Sequence, residues 1–166
     1  MASLAGDMTI ADLIQQWTEG STSSLTEAQS KELLREAGFQ VADSEPVPPG
    51  IELRIALEQD PLFGPVVSFG FGWLAVDVWE DVTYRVVPLT PKDSKLMVRE
   101  PKGRRLLEGY RSLEAPDVSL IEQTLLRLSG LAEQFPQLRE VDLDPVYAYP
   151  DHVVVAGVRV ELSGSQ

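Results

Sequence analysis

The chain of 166 residues contains no cysteine and a single histidine. The lack of cysteine excludes disulfides, thiol nucleophiles and thiolate metal sites, and it fits a reducing cytoplasm, which is the location we expect. His152 follows the letters "YPD" in a predicted turn and has no second histidine to pair with. We therefore interpret it as a turn or surface residue, the alternative being a catalytic base.

Basic residues are scarce as well. Fourteen Lys and Arg face 26 Asp and Glu, which gives a net charge of −12. Binding to a phosphate backbone requires clustered basic side chains, so we expect no nucleic-acid partner. One small cluster could meet a phosphate or a carboxylate, or be a solvated helical face. Its members are Arg99, Lys102, Arg104, Arg105 and Arg111.

Long apolar runs are absent too. No stretch of about 18 residues is apolar and free of charge, so we expect no transmembrane helix and no membrane partner. The first residues, "MASLAGDMTIADL", lack the basic start and apolar core of a signal peptide. Hydrophobic residues make up 43% and charged residues 24%, which is typical of a globular protein.

Periodicity divides the chain into helical and strand segments. Helical spacing predicts a helix over 8–18 and a second helix that begins near Leu25. Thr26 and Gln29 could form a capping box at its start and Gly38 is a natural C′ residue, after which the Pro-rich "DSEPVPPG" follows. From Ile51 the pattern alternates as in half-buried strands, and "VTYRVVPL" predicts a further strand. Helices are expected between Pro91 and Gly109 and from near Asp117 to before Pro136. The last two predicted strands are "REVDLDPVYAY" and "HVVVAGVRVEL". The sequence predicts an α+β fold with a mostly antiparallel sheet and flanking helices, divided into N-terminal helices (1–45) and a sheet domain (46–166).

The segment "FGPVVSFGFGW" has glycines at alternate positions of a predicted strand, which we expect to continue to Val78 beyond a bulge. Gly70 and Gly72 share one face, and the aromatic side chains point to the other. Because glycine weakens a strand, two on one face indicate a bulge or the close approach of backbone or ligand. We treat both as candidate cofactor-binding residues, although "GFG" is too short for a dinucleotide fingerprint.

Three carboxylates occur at alternate positions of the predicted strand "REVDLDPVYAY". Glu140, Asp142 and Asp144 are therefore expected on one face, with Val141 and Leu143 pointing to the core. Such oxygen donors could hold Mg²⁺ together with waters and substrate phosphates. The alternative is a solvated outer face.

Taken together, several segments resemble a known family. They are "LTEAQSKELLREAGFQV", "PPGIELRIALEQDPLFGPVVSFGFG", "DVTYRVVPLTPKD", "PKGRRLLEGYR" and "LRLSGLAEQFPQLREVDLDPVYAYPDHVVVAGVRVEL". Over most of residues 8–162 they are similar to the opening helix and C-terminal part of the ATP-grasp domain in nucleoside-diphosphate-forming acyl-CoA synthetases. The resemblance implies Mg²⁺ and ATP or ADP as cofactors, and coupling of acyl-CoA and phosphate to ADP through a phosphohistidine in the ADP-forming members.

The resemblance also implies that a part is missing. In the family a nucleotide-binding lobe follows the opening helix, and it carries the phosphate-binding lysine and the phosphorylated histidine. Here only "ADSEPVPPG" separates that helix from the strand "IELRIAL", and His152 lies elsewhere.

Single positions of the remaining part depart from the family too. Where the family has the second glycine of a double glycine, this chain has Trp73. The resemblance places Asp144 at the position of a metal-binding Asn, and Gly157 at the position of a second metal-binding Asp. Losing one of two protein ligands should weaken a Mg²⁺ site. Glu52, Asp77 and Arg85 match the family in residue type, without an assigned role.

Two hypotheses follow. In the first, the chain is a truncated ATP-grasp-like domain that does not catalyse alone and acts by binding, as a homo-oligomer or beside a full-length acyl-CoA synthetase subunit. In the second, it is half of a ligase, and another chain completes its nucleotide site. A third use of the cleft is the sensing of a nucleotide or CoA compound. Under the second hypothesis, Gly70, Gly72, Asp142 and Asp144 would keep their family roles.

Overall fold

The computed structural model describes residues 8–19, 23–43, 47–72 and 81–163. Within them the predicted class is confirmed, because helices flank one six-stranded, mostly antiparallel sheet. The helices are α1 (Ile10–Glu19), α2 (Glu27–Glu36), α3 (Pro91–Arg99), a 3-10 helix (Lys102–Glu108) and α4 (Val118–Gln134). The strands are β1 (Ile51–Asp60), β2 (Gly64–Phe71), β3 (Val82–Val86), β4 (Leu138–Ala148), β5 (Val153–Val155) and β6 (Val158–Leu162).

The strands lie in the order β3-β2-β1-β4-β5, and β6 pairs with the first part of β4. All the pairings between these strands are antiparallel. Strand β1 is central, and its alternation sends every second side chain into the interior. Its four inward residues, Ile51, Leu53, Ile55 and Leu57, are almost completely buried.

The helices cover the apolar face of the sheet. Buried side chains of α4, such as Leu125 and Leu128, join the core beneath β1 and β2, and Met97 of α3 joins them. Leu33 and Leu34 of α2 are fully buried in the same core. Because these helices occupy one face, the polar side chains of the central strands lie on the other.

Helix starts agree with their sequence signals. Thr26 and Gln29 form the expected capping box at α2, and Gly38 has a φ of 90° just beyond its end. Pro91 lies in the first turn of α3, and Thr90 forms a second capping box there. None of the helices in the described ranges is long and apolar enough to cross a membrane.

Two strand predictions need correction. The predicted last strand is two strands, β5 and β6, because the backbone N–H groups of Ala156 and Gly157 both turn to the carbonyl of Pro145. The strand predicted from "VTYRVVPL" ends at Val86, where the Val87–Pro88 peptide bond follows. The expected continuation of the glycine-containing strand from Trp73 to Val78, which includes Asp77, lies outside the described residues.

Candidate functional site

The candidate site lies on the polar face of the sheet, opposite the helices. Register brings its parts together, because Arg54 of β1 pairs with Gly70 of β2, while Ala56 pairs with Asp142 of β4. A shallow cavity of about 130 Å³ opens there. Its lining includes Arg54, Ser68, Tyr84, Glu140 and Asp142.

The two glycines lie directly beside β1. The backbone N–H of Gly72 donates to the carbonyl of Glu52 at 2.9 Å, and Gly72 has a φ of 34°. A Cβ atom at position 72 would lie 3.4 Å from Oε2 of Glu52. Gly70 is buried, with Val82 of β3 on one side and Arg54 on the other. Among the described residues, therefore, what approaches Gly72 is the carboxylate and backbone of Glu52.

The two candidate metal ligands share one cationic neighbour, Arg54. Its Nη2 and Nε lie 3.3 and 3.4 Å from the two carboxylate oxygens of Asp142. Its Nε is also 3.8 Å from Oδ2 of Asp144. The positions follow from a β-bulge, since Leu53 pairs with Val146 and Ile55 with Leu143, so that Arg54 alone lies opposite Asp144 and Pro145.

A second ion pair continues the row of charges. Glu140 accepts a hydrogen bond from Arg159 of β6, and this contact raises the pKa of the Arg159 side chain. Glu52 lies at the other end of the row. Burial, and secondarily the negative charge of Asp144, raise the pKa of Glu52. The face is thus acidic, and Arg54 and Arg159 each contact a carboxylate.

Gly157 lies directly against the backbone of Asp144. Its carbonyl accepts a hydrogen bond from the N–H of Asp144 at 3.0 Å. A Cβ atom at 157 would overlap the carbonyl oxygen of Asp144 and lie 2.9 Å from its carbonyl carbon and 3.0 Å from Cδ of Pro145. Asp144 and Pro145 of β4 therefore occupy the space that a side chain at this position would need.

This donor set does not fit a magnesium ion. Mg²⁺ requires oxygen ligands at about 2.0–2.1 Å in nearly octahedral geometry. Here a guanidinium group lies against the carboxylates of Asp142 and Asp144, and the backbone at Gly157 leaves no room for a further acidic ligand. Within the described ranges no group of three or more His, Cys, Asp or Glu could hold a metal ion.

Other residues considered in the sequence lie away from this face. His152 is half-exposed in the turn between β4 and β5, where its ring stacks on Tyr149 and its Nδ1 lies 2.6 Å from Asp151. It is therefore a turn residue, as predicted. It lines a separate cavity of about 250 Å³ between α4 and residues 38–40. In the basic cluster Arg99 pairs with Glu122 at 2.7 Å, and the cluster's other members are exposed: Lys102, Arg104, Arg105 and Arg111.

The contacts of two further residues are not evident from the sequence. From the sequence, Arg54 is only an outward position of an alternating strand, because its contacts depend on the cross-strand register. Asp81 is 7% exposed, and its carboxylate accepts hydrogen bonds from the N–H groups of Lys102 and Gly103 at 2.6 and 2.8 Å. An unusual charge in the middle of a strand was the only available signal for Arg54.

Comparison with known proteins gives the fold a family. The family profile described as an ATP-grasp domain matches residues 34–162. The chain is 36% identical over 129 residues to the beta subunit of acetate–CoA ligase [ADP-forming] II of Pyrococcus furiosus, covering 76% of this chain and 55% of that protein. It is 41% identical over 111 residues to acetate–CoA ligase [ADP-forming] II of Archaeoglobus fulgidus, covering 67% of this chain and 16% of that protein.

A solved structure is also similar. It is acetyl-coenzyme A synthetase 1 of Candidatus Korarchaeum cryptofilum with coenzyme A and Mg-AMPPCP, at 27% identity and a TM-score of 0.86. The alignment covers 93% of this chain and all of that one. By contrast, the chain spans about half or less of the length of the curated relatives it matches. It belongs to the ATP-grasp domain family and is homologous to the beta subunits of ADP-forming acetate–CoA ligases.

Proposed function

We propose that this chain is a truncated ATP-grasp domain that acts by binding another protein chain and does not catalyse acyl-CoA chemistry alone. The observation that carries the proposal is the contact of Arg54 with both Asp142 and Asp144. Phosphoryl transfer depends on cations placed around the transferring group. On this face Arg54 and Arg159 are already engaged by carboxylates, and no lysine is among the described residues that line its cavity.

The short connection before β1 supports the truncation. Residues 37–50 alone join α2 to β1, where the family resemblance implies a nucleotide-binding lobe. Val41 forms a parallel bridge with Val155, so part of this connection is tied to the sheet. We keep the division at residues 45 and 46 as a proposal, and likewise a location in the cytoplasm.

An exposed apolar patch supports a binding role. At the β1–β2 turn Leu62 and Phe63 are 87% and 65% exposed, and on β3 Tyr84 and Val86 are 55% and 48% exposed. Large exposed apolar patches on globular proteins commonly mark interfaces. The partner is a second copy of the chain or a synthetase subunit, and the second option fits relatives that are named as beta subunits.

We expect the unaltered chain to associate, alone or mixed with an ADP-forming acetate–CoA ligase, in light scattering after size exclusion. The double variant Phe63→Asp/Tyr84→Ser should lose that association. Tyr110→Ser is the matched control, since Tyr110 is 48% exposed on another part of the surface. Association should fall at least tenfold in the double variant and remain in the control. A monomer that binds no synthetase subunit would contradict the proposal.

A second candidate function is supported by the solved relative with Mg-AMPPCP. In it the chain is half of a ligase, with Gly70 and Gly72 beneath the phosphates and Asp142 and Asp144 on the metal side, and another chain supplies the missing lobe. Acyl-CoA-dependent formation of ATP from ADP and phosphate separates the two. The first proposal expects no ATP above the blank with this chain alone or as a substitute for a beta subunit, whereas the second expects activity once a chain with the lobe is added.

A further inference from the structure

We propose that the guanidinium of Arg54 is the fixed cation of this face and takes the place of a divalent metal ion between Asp142 and Asp144. This inference rests on the proposed function only in that both concern the same face. It concerns whether a divalent metal ion binds between Asp142 and Asp144 in the chain without nucleotide or partner. It predicts that the face does not respond to magnesium because its counter-ion is built in.

The geometry supports a fixed position for this charge. Arg54 extends from the central strand, with its backbone paired to Gly70 of β2 and its side chain directed toward β4. Nη2 and Nε each face one oxygen of Asp142, the two-contact arrangement that a planar guanidinium makes with a carboxylate. The bulge places Asp144 on the same side, 3.8 Å from Nε.

The charges exclude a second cation. Asp142 and Asp144 together carry two negative charges, and Arg54 neutralises one of them permanently because it does not deprotonate in proteins. A divalent ion at the same place would lie a few ångströms from a positive charge and would have to break both ion pairs. Asp142 is also largely covered, with 19% of its side chain exposed, whereas Arg54 is 43% exposed, so their contact is partly shielded from solvent.

The experiment uses the intact chain and the metal alone. We would measure the melting temperature with 0–20 mM MgCl₂ or MnCl₂ at constant ionic strength. The chains compared are the unaltered chain, Asp144→Asn, Arg54→Met, Arg54→Met/Asp144→Asn and Arg159→Met. Arg159→Met is the matched control, because it removes an arginine that pairs with Glu140 on the same face. Arg54→Gln, which keeps much of the length and a donor group but no charge, is measured in the same way should Arg54→Met not fold.

We expect no metal effect on the unaltered chain or on Arg159→Met. The Arg54→Met chain should gain a saturable rise of several degrees, and Arg54→Met/Asp144→Asn should lose it. A saturable rise in the unaltered chain that Asp144→Asn abolishes would overturn the inference. So would an Arg54→Met chain that folds and ignores both metals. Neither outcome depends on partner binding or ATP formation, so the inference and the proposed function can fail separately.

Discussion

Replacing Gly157 with aspartate is expected to destabilise the protein without restoring a metal site. A Cβ atom at this position would overlap the carbonyl oxygen of Asp144, which belongs to the backbone and cannot rotate away. Overpacking of this kind typically costs 1–3 kcal/mol, and we expect about 3 kcal/mol here because the clash is with backbone. For a chain of this size, that loss lowers the melting temperature by roughly 10 °C.

Urea unfolding of Gly157→Asp, Gly157→Ala and Gly130→Ala would measure the effect. Gly130 lies within α4 and has open space around its Cβ position, so alanine there should be neutral or stabilise by about 0.5–1 kcal/mol. Both substitutions at 157 should be destabilising to a similar extent. A stable Gly157→Asp chain whose melting temperature rises with magnesium would contradict our account of this position.

Replacing Asp81 with alanine is expected to be the second large effect, at about 3 kcal/mol. The buried carboxylate accepts hydrogen bonds from two successive backbone N–H groups at the start of the 3-10 helix. Hydrogen bonds to charged groups contribute about 1.5–3 kcal/mol, and buried donors left without acceptors are costly. The helix packs Gly103 against Phe71, at the end of β2 next to Gly72, so its loss should also loosen the glycine strand.

Asp117→Ala is the matched control for this substitution. Asp117 caps α4 at an exposed position, where its side chain accepts from the N–H of Ser119 at 3.0 Å, and such caps are worth about 1 kcal/mol. Asp81→Asn, which keeps one acceptor oxygen, should fall between the two. Urea unfolding gives the free energies, and amide hydrogen exchange at Gly103 reports the local effect. Equal losses for Asp81→Ala and Asp117→Ala would show that Asp81 is an ordinary surface cap.

Local sequence signals predicted much of this fold because they act over a few residues. The capping box at Thr26 and the alternation of β1 each depend on neighbours within about four positions, and the structure confirms both. The split at Gly157 was missed because it depends on contact with Asp144 and Pro145 in another strand. An alternating pattern such as "HVVVAGVRVEL" carries no sign of that contact.

The sequence predicted that Asp142 and Asp144 lie together, but not which charged group they contact. Spacing along one strand placed Asp142 and Asp144 together, which agrees with their shared contact to Arg54. What the carboxylates face, however, depends on the register between β1 and β4 and on the bulge at Asp144. Because Arg54 and Asp142 are far apart in the sequence, their pairing is not evident from it. The alternating acidic residues therefore indicated a metal site, although Arg54 lies against Asp142 and Asp144.

The most direct test of the account is a calorimetric titration of the purified chain with ATP and with ADP, each with and without Mg²⁺. We expect no magnesium-dependent binding heat, because Arg54 already lies against Asp142 and Asp144 and the backbone of Asp144 leaves no room for a side chain at position 157. Micromolar binding that requires magnesium and is abolished by Asp144→Ala would contradict it, and would show that this face still works as a nucleotide site.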